Sequence, residues 1–218
     1  MKIIIPKKEL KNALINISKV VTGKSSLPIL SAVKVSGTKD GIRVTGTNLE
    51  QTLTCKIAGG NGAGSFIVSF KELKDYLKNG SASVTVQFED VGDKITALFH
   101  AGNIPVIRQF KTFPLDEWPE LSEVYNRGYK SNTLFAKICD AIPSASKDST
   151  RKILQSVLLE SDAVIATSGK ELVKLHCHTG IKKPVPIPVT KFLQSANFAK
   201  CSGTIAVQEV KGVMQCRL

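Results

Sequence analysis

An excess of lysine, three histidines and five cysteines could carry chemistry in this 218-residue chain, and their spacing points away from catalysis. His176-Cys177-His178 comes nearest to a metal cluster. Strand alternation within VKLHCHTG puts both imidazoles on one face, but no third or fourth ligand follows at a usable spacing, so no metal site is expected. His100 has no acid or nucleophile beside it. Neither GxSxG, a P-loop, HExxH, a dinucleotide GxGxxG nor a paired DxD stands between suitable flanking elements. Gly59, Gly60, Gly62 and Gly64, in AGGNGAGS, follow one strand and precede another, the setting of a tight hairpin or flexible loop rather than a phosphate cradle. The chain therefore reads as non-enzymatic, with no catalytic residue and no cofactor. Cys55, Cys139, Cys177, Cys201 and Cys216 are odd in number and form no CxxC pair, which marks them as reduced packing residues.

The lysines remain. Lys and Arg number 30 against 18 Asp and Glu, a net charge of +12 that attracts polyanions through phosphate contacts. Residues 1–126 hold 16 basic and 12 acidic side chains, whereas 127–218 hold 14 and 6, so the second part is the more basic. With 42% apolar residues the chain can bury a real core. No apolar run nears the ~20 residues of a membrane helix, and MKIIIPKKELKNAL turns charged too soon for a secretion signal. A cytoplasmic location without membrane contact is expected.

The elements that would position these lysines occur twice. First come a short strand (2–5), an amphipathic helix (7–21), a loop (22–26), and strands LSAVKVSG and GIRVTGTN. Then come a helix (132–144), a loop (145–151), and strands LQSVLLES and AVIATSGK. Ile29-Leu30 stands 124 positions before Ile153-Leu154, Thr47 stands 120 before Thr167, and SVTVQFE stands 120 before GTIAVQE. Each copy carries a second helix, at SFKELKDYLKNG and at 191–199, and alternating strands with Gly/Asn/Asp turns fill the rest. This is an α+β arrangement with antiparallel sheet. The proline-rich stretch 112–130 marks the junction, with Trp118 packing a linker onto a domain. Domain 1 is thus 1–126 and domain 2 is 127–218, which stops nine residues after GTIAVQE and is expected to lack its last strands.

Lys8 and Lys11 share one face of the first helix, opposite Leu10, Leu14, Ile17 and Val21, and Lys71, Lys74 and Lys78 repeat the device on the second. Lys24 in the first loop has counterparts in Lys147, Arg151 and Lys152 of the second-copy loop SASKDSTRKIL. Lysine gives tolerant point-charge contacts, and no aromatic side chains interleave to stack bases, so the expected partner is double-stranded DNA bound without regard to sequence.

SSLPILSAVKVSG with VTGTNLEQTL, and SASKDSTRKILQSVLLES with VIATSGKELVKL, resemble the first two domains of the bacterial DNA polymerase III β subunit, the DNA sliding clamp. The resemblance spans nearly the whole chain. It implies tandem clamp-type domains, antiparallel sheets outside and helices lining the DNA-facing side, closed head to tail around duplex DNA as a processivity factor. It also implies a groove at Leu154, Thr167, Gly169, Lys170 and Leu172 that receives short peptide motifs of DNA polymerase and clamp-loader subunits. The family's usual Asp is Asn48 in one turn and Ser168 in the other, which bears on turn hydrogen bonding. The family's third domain is absent, so a homo-oligomeric ring is expected where a longer chain supplies one. Rival readings are a peptide-binding module that does not encircle DNA, and a clamp-fold enzyme.

Overall fold

A computed structural model describes residues 1–21, 27–78, 80–120, 129–131, 133–148, 150–195, 198, 203–210 and 213–217; for 129–131, 203–210 and 213–217 only the backbone is considered. The chain divides into two compact units, Met1–Leu121 and Ser122–Leu218, with the division a few residues before the sequence-derived junction at 126.

Unit 1 is built from one pattern used twice: a strand, a helix, then three strands. The first pass is β1 (Lys2–Pro6), α1 (Lys7–Ile17), β2 (Ala32–Thr38), β3 (Gly41–Thr47) and β4 (Thr52–Ile57). The second is β5 (Asn61–Ser69), α2 (Phe70–Tyr76), β6 (Thr85–Val91), β7 (Lys94–Ala101) and β8 (Ile104–Lys111). The leading strands exchange partners, so that β5 joins β2 and β1 joins β6, and one sheet runs β4-β3-β2-β5-β1-β6-β7-β8. Every pairing is antiparallel.

Of the four glycines read as a hairpin or loop, Gly59 and Gly60 lie in the turn between β4 and β5, as expected, while the other two do something else. Strands β4 and β5 are not neighbours, and Gly62 and Gly64 lie within β5 at φ +125° and +112°. A Cβ on Gly62 would run into the Lys2 carbonyl and the Ile3 backbone. Glycine is required because β1 and β5 approach closely where the two halves of the sheet join, at Lys2↔Ala63 to Ile4↔Asn61.

Both helices lie on one face of this sheet. Leu10, Ala13, Leu14 and Ile17 of α1 and Leu73 and Tyr76 of α2 enter the same core as Ile3, Ile5, Val35, Val44, Phe66, Phe88, Phe99 and Phe110. Helix α1 ends at Ile17 rather than running to Val21, since Ser18 turns its hydroxyl back to the Ile15 carbonyl and the β-branched run Val20-Val21 disfavours a further turn. Ser69 caps α2 by accepting a hydrogen bond from the Glu72 N–H. On the other side Trp118 and Phe113 pack with Ile29, Leu30, Ala32 and Ile67, which accords with the packing role read for Trp118.

Unit 2 repeats the order with β9 (Tyr129–Ser131), α3 (Leu134–Ala141), β10 (Ser156–Leu159), β11 (Ala163–Thr167), β12 (Leu172–His176), β13 (Val185–Pro188), β14 (Gly203–Val210) and β15 (Val213–Arg217). Strand β13 joins β10 as β5 joins β2, and β9 joins β14 as β1 joins β6. Strand β15 pairs with β14 in the place β7 holds beside β6, so the expected loss of the last strands is narrower than read: among the described strands β8 alone has no counterpart. Of the helix expected at 191–199, residues 191–194 form a turn and Phe198 is helical, while 196, 197 and 199 lie outside the described residues; Leu193 and Phe198 are buried in the unit-2 core.

Candidate nucleic-acid and peptide interfaces

The lysines of the two unit-1 helices separate by position. Lys8, Lys71, Lys74 and Lys78 are exposed and Lys11 is half-buried, on the sides of α1 and α2 that face away from the sheet. Lys7, which periodicity alone would group with them, is 0% exposed. Its Nζ lies 3.9 Å from the centroid of the Phe99 ring, a cation–π contact. Burial, and then the neighbouring charge of Lys11, hold its pKa below the usual lysine value. Lys7 is therefore structural, and the cations available to a ligand begin at Lys8.

Lys78 is also set apart. Its ammonium bridges Asp75 at 2.6 Å, and this hydrogen bond leads the causes that hold the Asp75 carboxyl below its ordinary range, with lesser contributions from Lys71 and Arg108. Lys74 rests 5.7 Å from the Phe70 ring centroid, near the limit for a cation–π contact, and stays exposed. Lys24 lies outside the described residues.

In unit 2, residues 146–154 form a closed loop: the Ser146 N–H donates to the Leu154 carbonyl at 2.9 Å. Inside it Asp148 accepts from the backbone N–H and hydroxyl of Thr150, bonds that lower its pKa. Lys147, Arg151 and Lys152 are exposed on this loop.

The β11–β12 turn has the geometry that its residue types allow. The Thr167 hydroxyl donates to the Glu171 carbonyl at 2.6 Å and accepts from the Gly169 N–H at 3.1 Å. The Ser168 hydroxyl accepts from the Lys170 and Glu171 N–H groups, so serine serves where the related pattern has aspartate. The β3–β4 turn is the same device: Thr47 bonds the Gln51 carbonyl and the Leu49 N–H, and Asn48 accepts from Gln51 N–H at 2.7 Å. Both substitutions preserve the turn.

Gly169 turns toward Arg151 Nη1 and Leu154 Cδ1, at 3.5 and 3.9 Å from where a Cβ would stand. Leu154 and Thr167 are half-buried, while Lys170 and Leu172 are exposed; Thr167 pairs with Leu172 across β11 and β12, and Leu154 stands beside Gly169. Two residues join them that sequence reading placed elsewhere or missed. Arg151, grouped there with DNA contacts, flanks the turn. Ile153 is 69% exposed, although its repeat counterpart Ile29 is buried under Trp118. The missed signal was that contrast, since an apolar pair covered in one copy and bare in the other marks a contact surface. His176 and His178 are exposed and Cys177 is buried, and no metal-holding group of three occurs among the described residues.

The family described as DNA polymerase III beta subunit, N-terminal domain, matches residues 1–122. No curated protein matches the chain. Among solved structures, the DNA polymerase sliding clamp of Bacillus subtilis is similar at 18% identity and TM-score 0.76, over 100% of this chain and 62% of that one. The DNA polymerase III subunit beta of Pseudomonas aeruginosa follows at 19% and 0.73, over 99% and 63%. That of Thermotoga maritima shows 19% and 0.72, over 100% and 61%. The chain thus spans about three-fifths of the length of these proteins and shares their antiparallel clamp-type fold.

Proposed function

The chain belongs to the DNA polymerase III beta-subunit family, and from that premise we propose that it acts as a DNA sliding clamp, a non-catalytic processivity factor that helps encircle duplex DNA in the cytoplasm and recruits polymerase and clamp loader. One observation carries the reading. Helices α1 and α2 bury their apolar sides in one core on one face of the sheet and hold Lys8, Lys71 and Lys74 exposed on the other side. Mobile point charges on a rigid face suit a duplex that must slide: each contact is weak, independent of sequence and screened by salt. Processivity then comes from topology rather than from tight binding. Lys147 and Lys152 extend the basic surface in unit 2, and Lys24 is placed with them by the sequence pattern.

The unit-2 surface of Leu154, Thr167, Gly169, Lys170 and Leu172, joined by Arg151 and Ile153, serves as the peptide dock for the polymerase and clamp loader. A peptide-binding module that does not encircle DNA is the second reading, favoured by the same bare apolar residues, Ile153 and Leu172. The two are separated by retention of the native protein on closed circular and linearised DNA at high salt, with a clamp loader present. Retention on circles and loss from linear ends supports the clamp; equal loss from both leaves the module.

A further inference from the structure

The face of the unit-1 sheet opposite the helices carries positive charge that the chain itself leaves uncompensated. Strands β2, β3, β4 and β5 contain three cationic side chains, Lys34, Arg43 and Lys56, and no aspartate or glutamate. All three point away from the core, because their chain neighbours Val33, Val35, Ile42, Val44 and Ile57 are the residues buried with the helices. Arg43 and Lys56 are exposed and Lys34 is half-buried.

The strand register brings the three together. Arg43 stands directly opposite Lys56 across β3 and β4, and Lys34 pairs with Thr45, one diagonal step from Arg43. Opposite side chains of a sheet lie about 5 Å apart and diagonal ones about 7 Å, so like charges placed directly opposite repel. Hydroxyls fill the spaces: Ser36 pairs with Arg43, and the Thr45 and Thr54 hydroxyls meet at 3.1 Å. The carboxylate of Asp40 lies 3.8 Å from Arg43, but its side chain is 74% exposed and the contact is weak. Among the described residues Lys34 and Lys56 form no ion pair. Elsewhere in the same sheet a lysine is matched, since Lys2 stands opposite Glu89 and bridges it at 3.1 Å.

We propose that this face docks an acidic helix of a partner protein. Glutamates four residues apart on a helix stand about 5–6 Å apart, close to the spacing of Arg43 and Lys56. Two successive carboxylates then reach both cations, and the hydroxyls of Ser36, Thr45 and Thr54 donate to their remaining lone pairs. Nucleic acid fits this face less well. Strands β2, β3 and β4 contain no aromatic residue to stack a base, and a duplex finds more exposed lysines on the helix side of the same unit. The contact steers and orients a partner rather than holding it tightly. It depends neither on the clamp reading nor on the unit-2 peptide surface.

Fluorescence anisotropy with a labelled helical peptide carrying glutamate at every fourth position tests this on the whole chain. The peptide should bind at low salt and be released as salt is added. Arg43→Thr/Lys56→Thr should weaken binding about tenfold or more, the loss of two exposed ion pairs. A peptide with lysine in place of glutamate should bind Arg43→Glu/Lys56→Glu instead. Lys56→Glu guards against misfolding as the cause: it turns a repelling cross-strand pair into an attracting one, so its urea midpoint should be no lower than that of the wild type while the acidic peptide is lost. A wild-type chain that ignores the acidic peptide, or binding that survives Arg43→Thr/Lys56→Thr, overturns the proposal. Peptide binding that is lost instead with Lys8→Ser/Lys71→Ser/Lys74→Ser also overturns it, by placing the acidic partner on the helix side. Duplex binding measured on that triple variant reports on the clamp reading separately.

Discussion

Leu49 and Gly169 hold the same position in two copies of one turn, at φ +75° and +86°, each donating its N–H to a threonine hydroxyl two residues earlier. Their backbones agree and their side chains do not. Gly169 tolerates the left-handed region without cost, and Leu49 does not.

The stability of the two turns should therefore respond unequally to substitution. Leu49→Gly removes strain but frees the unfolded chain, and we expect a change within about 1 kcal/mol of zero. Gly169→Val introduces a β-branched residue in the left-handed region, beside Arg151 Nη1 and Leu154 Cδ1, and should cost about 1–3 kcal/mol. Urea unfolding midpoints of the two variants check this; equal and small losses would remove the strain argument.

Tyr76 couples α2 to the sheet. Its hydroxyl donates to the Val106 carbonyl at 2.9 Å, and its ring meets Phe99 and Phe110 edge-on at 5.1 and 5.5 Å between centroids. Burial pushes its phenol up to about 12. A folded pKa above the unfolded value of 10.0 means the folded state resists deprotonation. The stability tied to this group is fully present below pH 10 and is lost as pH rises toward 12. Tyr76→Phe leaves the Val106 carbonyl short of a partner and should cost about 1–2 kcal/mol at neutral pH, a penalty that shrinks between pH 10 and 12. Chemical denaturation of both proteins across that range gives the difference directly; a gap that does not close with pH would contradict it.

DNA affinity should distinguish lysines that sequence periodicity treats alike. Lys8, Lys71 and Lys74 are exposed, whereas Lys78 is held by Asp75 at 2.6 Å and Lys7 is buried on Phe99. If each exposed lysine meets one phosphate, replacing all three with serine reduces the slope of log affinity against log salt by about 2–3, at roughly 0.9 per contact. Lys78→Ser should change it by well under half a contact. Titration of labelled duplex at several salt concentrations supplies the slopes, and an equal effect from Lys78 would assign the face wrongly.

Much of this fold is legible because the chain states its pattern twice. The 120-residue offset between Thr47 and Thr167 is realised as two turns with matching hydrogen bonds, and the offset between SVTVQFE and GTIAVQE as β6 and β14 beside their leading strands. What escaped were features fixed by contacts distant in sequence. Gly62 looks like a loop glycine until β1 is known to pass against it. Lys7 follows the charge pattern of its helix, but Phe99, 92 positions away, claims its ammonium. Phe192 reads as part of a helix by spacing, yet it stands in a turn, from which its ring meets that of Phe198 at 5.8 Å between centroids. Periodicity reports which side of an element is buried and is silent about which neighbour buries it.

Arg151 is where that silence bears most on function. Its loop position groups it with Lys147 as a phosphate contact, whereas its guanidinium lies beside Gly169 and Leu154. The two assignments differ in one experiment. If Arg151 belongs to the apolar surface, Arg151→Ser should weaken binding of a polymerase-derived clamp-binding peptide about tenfold or more, the loss of a flanking charged hydrogen bond, and leave the salt slope for duplex DNA unchanged. Lys147→Ser should do the reverse, lowering the slope by roughly one contact and sparing the peptide. Fluorescence anisotropy with labelled peptide and labelled duplex reads both in the same protein preparations. A slope that falls with Arg151→Ser while the peptide still binds would return the residue to the DNA face and leave Ile153, Leu154 and Leu172 to hold the peptide without it.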